Sequence, residues 1–366
     1  MKIVTDKAKS SMTRVVSLVV SEMGLRGYLL KRSINTVILV LFVIVLNFTI
    51  FELLPGTQAA IANLTQNPKV HDTRVIHHLQ IAYGICKGFT PAGDCIPTTF
   101  LERFLAYFKS MVTFDFGNSY SSGKPILDEM IHEGRLYNTL MLLGVSTTFS
   151  ILIGVFLGVL SASKRGSLFD NGSVIVSLIT YSLPTFWMGL LAILIFAQTL
   201  GWFPPGGVTP ATPQWILSPP PLLTRIVVRI QYLFLPAAVL TLFFYGGHLL
   251  ITRATMMESL GEDYIVTAKA KGVSNWGVLF KHALKNASLP IVTNAALSFG
   301  GLLGGAIITE TVFFWDGLGL WIFNAINNKD FPVMQAMFYI IALCVIGANL
   351  ISDIVYGIID PRIKYE

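Results

Sequence analysis

Six apolar stretches recur along this chain of 366 residues, at 33–54, 139–162, 173–200, 233–256, 289–310 and 335–359. Each is long enough to cross a bilayer, because a helix rising about 1.5 Å per residue needs about 20 residues to traverse about 30 Å of hydrocarbon. The third and sixth are long enough to tilt, and the fourth is interrupted by Gly246, Gly247 and His248. Composition agrees: 53% of residues are hydrophobic, 13% are charged and the mean hydropathy is +0.66, outside the range of a soluble domain. The pattern predicts an all-α integral membrane protein with six transmembrane helices. It excludes a disordered, collagen-like or disulfide-rich secreted chain. No cleavable leader is expected before the first stretch, which is too long for one and runs into Glu52 and Leu54-Pro55-Gly56.

The net charge of +6 fits an orientation signal, since Lys and Arg concentrate in cytoplasmic loops of polytopic proteins. It calls for no nucleic acid. With both termini inside, sixteen of the 26 basic residues are cytoplasmic, and seven of the other ten lie in the long 55–138 segment, where charge weighs little. Lys31-Arg32 and Lys164-Arg165 adjoin span ends directly. The expected layout is a cytoplasmic N-terminal extension at 1–32, a first transmembrane helix at 33–54 and an external loop with amphipathic helices at 55–138. A five-helix core follows at 139–359, including a cytoplasmic loop at 257–288, and then a cytoplasmic tail at 360–366.

The external loop contains Thr99-x-x-Glu102, a capping box, followed by Phe100, Leu101, Phe104, Leu105 and Phe108 at helical spacing. A second short helix is expected from Pro125, with Ile126, Leu127, Met130 and Ile131 on one side, leading into the second span. Between the third and fourth spans lie seven of the seventeen prolines, among them Pro204-Pro205 and Pro219-Pro220-Pro221, which predicts an extended connection. Cys86 and Cys95 fall outside with eight residues between them, where the compartment permits a disulfide. Cys344 falls within the last span, and Asn63-Leu64-Thr65 is a glycosylation triplet in the outer loop.

Catalytic chemistry is not evident. A phosphate-cradling loop needs four residues between its glycines and Ser or Thr after the lysine. Gly117 to Gly123-Lys124 has five and is followed by Pro125. Metal-binding spacings such as HExxH and CxxC are missing, and His77-His78 reads as solvated surface. No cofactor or metal is therefore expected in this chain, nor an enzyme activity. Ionisable residues within membrane stretches are costly and default candidates for function: here Glu52, Glu310, His248 and Asp353. Glu310 and Asp353 are candidates for the translocation path. Asp353 has the alternative of bonding Asn349 one turn earlier, and Arg253 can snorkel to the interface.

The most informative segment lies between the fourth and fifth spans. Residues 263–290 read as a helix, a turn at Gly272 and a second helix entering the next span. Ala268 and Ala270 alternate with Lys269 and Lys271, and small residues let another surface approach the backbone. A docking element and a plain solvated hairpin both fit this pattern.

From about Tyr28 onward the chain resembles the inner-membrane permease subunits of binding-protein-dependent ABC importers, in the dipeptide, oligopeptide and nickel branch. The resemblance is carried by Leu53-Leu54-Pro55-Gly56, Asp115-Phe116-Gly117 with Ser119, Pro184-x-Phe186-Trp187-x-Gly189 and Gly201-Trp202-x-Pro204-Pro205. It continues through Asp263-Tyr264-x-x-Thr267-Ala268-x-Ala270-Lys271-Gly272, His282-Ala283-Leu284-x-Asn286-Ala287-x-Leu289-Pro290, Glu310-Thr311-Val312-Phe313, Trp315-x-Gly317-Leu318-Gly319 and Asp360-Pro361-Arg362. Departures are Val266, where the family-wide glutamate falls, Tyr137 and Asp316, where relatives often have proline, and residues 1–27, which match nothing familiar and include the apolar run 15–20.

The resemblance implies a type I importer permease fold in the cytoplasmic membrane, in which Asp263, Tyr264, Thr267, Ala268, Ala270, Lys271 and Gly272 form the coupling helix that docks in a groove of an ATPase. It implies a second homologous permease chain, two ATPase subunits that hold ATP and Mg, and an external solute-binding protein delivering peptide, oligosaccharide or nickel. The competing class is an ion-coupled secondary transporter or channel using Asp353 and His248 without ATPases. A membrane scaffold is a third.

Overall fold

The computed structural model describes residues 25–53, 86–90, 93–212, 215, 217–218 and 220–359. The 15–20 run, Pro55-Gly56, Asn63, His77-His78 and the Asp360-Pro361-Arg362 tail lie outside these residues. The described elements are α1 Leu25–Leu53, a hairpin of β1 Cys86–Phe89 and β2 Cys95–Pro97, α2 Phe100–Thr113, α3 Ile126–Ile131, α4 Arg135–Ser163, α5 Leu168–Ser182 and α6 Thr185–Ala192, which continues as a π-helical stretch Ile193–Thr199. Then come α7 Leu222–Leu260, α8 Asp263–Ala270, a π-helical stretch Gly277–Ala283 that leads into α9 Leu284–Val312, α10 Leu318–Asn328 and α11 Phe331–Ile359. Beyond the hairpin, this is a helical protein.

Among the described residues, four helical stretches are long and apolar enough to span a membrane: Leu30–Phe51, Ile126–Ser163, Leu222–Leu260 and Phe331–Ile351. A fifth exists if α5 and the α6 stretch count as one span. These make the chain a multi-pass membrane protein. Helix α9 adds 29 continuous helical residues.

Three expectations need correction. The 173–200 stretch is not one tilted helix: it bends by 99° between Ser182 and Thr185. Leu183 adopts an extended backbone before Pro184, as a residue preceding proline is driven to do. The glycines of the fourth stretch interrupt nothing, because α7 runs 39 residues through Gly246, Gly247, His248 and even Pro236. Finally, the proline-rich connection is not extended throughout, since α7 starts at Leu222 immediately after Pro221, and Arg229 Nη1 on that helix donates to the Val208 carbonyl at 2.8 Å.

The chain divides into two compact units. One takes in the described residues of Met1–Leu39, Met141–Phe313 and Cys344–Glu366, the other those of Val40–Leu140 and Phe314–Leu343. In the first, α7 is the central helix, packed against α5, α6 and α9. Its approach to α4 is set by Gly154 and Gly158: a Cβ at Gly154 would lie 2.5 Å from His248 Cβ and 2.6 Å from the Tyr245 carbonyl oxygen. One at Gly158 would lie 2.6 Å from Thr252 Cβ. This is close helix packing through small residues at four-residue spacing. Gly246 meets α5 similarly, with Ser177 O 2.9 Å from where its Cβ would sit. The connection after α6 is fixed by Phe203, stacked on Phe234 at 4.4 Å, and by Gly207 N donating to the Phe313 carbonyl at 2.8 Å.

In the second unit the capping box forms as expected: Thr99 accepts from Glu102 N while the Glu102 carboxylate accepts from Thr99 N. Helix α2 then lays Phe104 and Tyr107 against Phe48 of α1, with ring centroids 5.2 and 5.5 Å apart. Burial pushes the Tyr107 phenol up from its ordinary range. Asp330, only 2% exposed, anchors the loop before α3 by accepting from Ser119 Oγ at 2.6 Å, Ser121 N at 3.0 Å and Tyr120 N at 3.1 Å. Arg135 lies within 3.4 Å of carboxylate oxygens of Glu129, Glu133 and Asp316 and stacks over Trp321 at 4.4 Å. Cys86 is buried and disulfide-bonded, and Cys344 is a free thiol.

Candidate coupling site

Helix α8 is short because its ends are set locally. Asp263 supplies an acidic first turn and Lys269 a basic last turn, both favourable to the helix dipole. Gly272 takes a positive φ of 74°, the left-handed conformation that ends helices cheaply only in glycine. The Val273 amide donates back to the Ala268 carbonyl at 3.2 Å and that of Gly272 to Lys269 at 2.9 Å. The helix–turn–helix reading of 263–290 is thus realised, with the π-helical stretch Gly277–Ala283 in the second arm.

One side of α8 is glued to the membrane core. Ile265 and Ala268 are 1% and 6% exposed and pack with Val159, Met256, Val278 and Ala287. Tyr264 Oη and Ser259 Oγ lie 2.5 Å apart, and Ser259 Oγ also donates to the Ala283 carbonyl at 2.9 Å. The opposite face presents Asp263, Val266, Thr267 and Ala270, all exposed, at the i, i+3, i+4, i+7 spacing of one helical stripe. Lys271 and Gly272 follow, also exposed, and a Cβ at Gly272 would meet nothing within 4 Å.

Of the seven coupling candidates, Asp263, Thr267, Ala270, Lys271 and Gly272 therefore share the accessible surface. Tyr264 is half-buried and Ala268 faces inward, so the small side chain of Ala268 serves packing within the chain. The sequence reading left out Val266, 67% exposed at the middle of the stripe. An apolar β-branched residue there is visible in the sequence, but its exposure is not.

The membrane ionisable groups are mostly engaged. Asp353 pairs with Arg32 of α1 at 3.0 Å, a partner on another helix and not the Asn349 that its own helix offered. His248 Nδ1 lies 2.9 Å from Asn294 Nδ2. Glu310 is fully buried near the end of α9. Arg253 does not snorkel freely. Its Nε and Nη2 meet the two carboxylate oxygens of Asp170 at 2.5 and 2.8 Å, and Asp170 also accepts from Ser161 Oγ at 2.5 Å and Gly166 N at 2.9 Å. Among the described residues no group of three or more His, Cys, Asp or Glu is placed to hold a metal ion.

Residues 154–365 match the family model of the binding-protein-dependent transport system inner membrane component. The oligopeptide transport system permease protein AppB of Bacillus subtilis is 35% identical over 340 residues, 93% of this chain and 99% of the relative. The dipeptide transport system permease protein DppB of Alkalihalophilus pseudofirmus is 35% identical over 351 residues, again 93% of this chain and 99% of the relative. DppB of Escherichia coli K12 is 35% identical over 278 residues, 72% of this chain and 81% of that protein. With α8 and its exposed stripe lying within the matched region, the chain belongs to the family of binding-protein-dependent transport system inner membrane components.

Proposed function

We propose that this chain is the transmembrane permease subunit of an ATP-driven importer that forms half of a translocation pathway for peptides. The observation that carries this reading is the exposed stripe Asp263, Val266, Thr267 and Ala270, followed by Lys271 and Gly272, on a helix whose other face is locked into the spans. Such an element can receive a push from a partner and pass it to α7 and α9. Peptide as the solute is supported by the oligopeptide and dipeptide transport relatives.

In this reading a second homologous permease chain completes the pathway, two ATPase subunits hold ATP and Mg and dock at 263–272, and an external binding protein delivers the solute. The chain crosses the membrane six times with both termini cytoplasmic. Extension 1–32, external loop 55–138, core 139–359 with coupling loop 257–288, and tail 360–366 follow from that topology. Glu310 and Asp353 remain the candidates for lining the path. Cys86 and Cys95, on hairpin strands paired Phe89 to Cys95, form the external disulfide. ATP-driven closure of the ATPases moves α8, and the spans turn from inward- to outward-facing. No covalent chemistry takes place in this chain.

The test is purification of the tagged chain from native membranes with identification of what accompanies it, for the wild type and for Gly272→Trp. Wild type should bring a second permease and two ATPase subunits, and Gly272→Trp should lose the ATPases and the uptake while keeping the permease partner. Uptake that persists after ATP depletion with ion gradients retained would overturn the reading in favour of an ion-coupled carrier.

A further inference from the structure

A shallow apolar groove of about 320 Å³ runs between α4, α5 and α7, lined by Leu157, Leu168, Phe169, Gly172, Val176 and Tyr245. From Leu168 to Val176 it extends roughly 12 Å along α5, at about 1.5 Å per residue. Two observations bear on what occupies it.

The first is Gly172. A glycine in a helix interior costs about 1 kcal/mol relative to alanine, and Gly154, Gly158 and Gly246 are explained by a neighbour that a Cβ would strike, whereas Gly144, Gly247 and Gly347, like Gly172, are not. At Gly172 a Cβ would meet nothing within 4 Å. The missing side chain leaves the groove open at this point, and among the described residues no atom lies within 4 Å of that Cβ position.

The second is charge at its end. Lys164 and Arg165, both exposed, sit in the α4–α5 turn, and Lys164 Nζ lies 5.4 Å from the centroid of Phe169, a residue of the groove wall. Asp170, the acidic group nearest in sequence, is fully buried with both oxygens taken by Arg253, Ser161 and Gly166. It therefore does not neutralise these two cations. Leu168, 92% exposed, is the groove residue closest in sequence to these cations.

From this juxtaposition we infer that the groove is a binding site for one anionic phospholipid, with an acyl chain lying along Gly172 and the phosphate headgroup held by Lys164 and Arg165. The occupant is argued from chemistry: an apolar groove in a membrane protein, with Lys164 beside its Phe169 wall and Arg165 next to it in the turn, matches a molecule that is apolar along its length and negative at its tip. A neighbouring protein helix needs no such charge. The inference requires only that the chain lies in a bilayer, and it holds whatever solute is carried.

The complex extracted in mild detergent is titrated with phosphatidylglycerol or phosphatidylcholine of identical acyl chains, and retained lipid is counted by native mass spectrometry. Wild type should retain phosphatidylglycerol in preference, by roughly fivefold for each basic side chain. Lys164→Gln with Arg165→Gln should bring the ratio to about one without abolishing retention of either lipid. Gly172→Leu, whose Cβ would meet nothing within 4 Å, should abolish retention at this site for both lipids. Equal retention of the two lipids by wild type, or retention unchanged in Gly172→Leu, would overturn the site. A photo-crosslinker at position 168 that captures a protein chain in place of lipid would also overturn it and make the groove a subunit interface.

Discussion

Arg253 of α7 closes on Asp170 of α5 in a two-point ion pair, and the carboxylate it holds has no solvent exposure. A pair of this kind contributes less than its geometry suggests, because both ions left water to form it. Breaking it from one side is another matter. Arg253→Met leaves a buried carboxylate with only Ser161 and Gly166, and is expected to destabilise the protein by about 3–5 kcal/mol. The double variant Asp170→Leu with Arg253→Met should recover much of that loss. Thermal unfolding in detergent, followed for both variants, measures the difference; equal losses would mean that the stranded Asp170 carboxylate is not the source of the cost.

Two glycines of the same helix predict opposite effects. Gly154→Ala forces a Cβ to 2.5 Å from His248 Cβ, so α4 and α7 have to part, at an expected cost of about 1–3 kcal/mol or more. Gly144→Ala meets nothing within 4 Å and should stabilise by up to about 1 kcal/mol through helix propensity. Melting temperatures of the two variants should move in opposite directions.

Glu102 supplies a pH signature outside the membrane. The Lys87 ammonium 2.6 Å away, and then the Thr99 amide and hydroxyl at 2.9 Å, hold its carboxyl down at about 2 from an ordinary 4.5. A carboxylate depressed on folding adds stability that is complete above its unfolded pKa and is lost as pH falls through the folded one. The melting-temperature difference between wild type and Glu102→Gln should therefore be constant above about pH 5 and vanish near pH 2. A difference that does not change over this window would show that the contact does not persist in solution.

Pairing of Cys86 with Cys95 is tested by counting thiols in the unfolded, unreduced chain. Cys344 alone should react before reduction, and all three cysteines should react after it. Three reactive thiols without reductant would refute the pairing.

What was legible in the sequence was what is written locally. The Thr99-x-x-Glu102 box, the turn at Gly272 and the short α8 are set by residues a few positions apart, and each formed where the spacing put it. The bend at Pro184 was hidden because apolar residues continue on both sides, so hydropathy records one stretch where the backbone makes two. Partners far apart in sequence were not accessible either. Asp353 looked to Asn349, one turn away, and found Arg32. Arg253 seemed headed for the interface and found Asp170, 83 positions earlier. Periodicity identifies a buried face but carries no address for the group opposite. Gly154 and Gly158 drew no reading from the sequence, and only the neighbouring helix explains why both lack a side chain.

That glycine seam bears on how force travels. Side chains between two helices form a compliant layer, which can change rotamer and absorb a small displacement before the next backbone feels it. Where Gly154 and Gly158 touch the backbone of α7, that layer is absent. The two helices are splinted there like rods bound without padding. A shift of a fraction of an ångström at the C-terminal end of α7, just before α8, is handed to α4 with almost no slack.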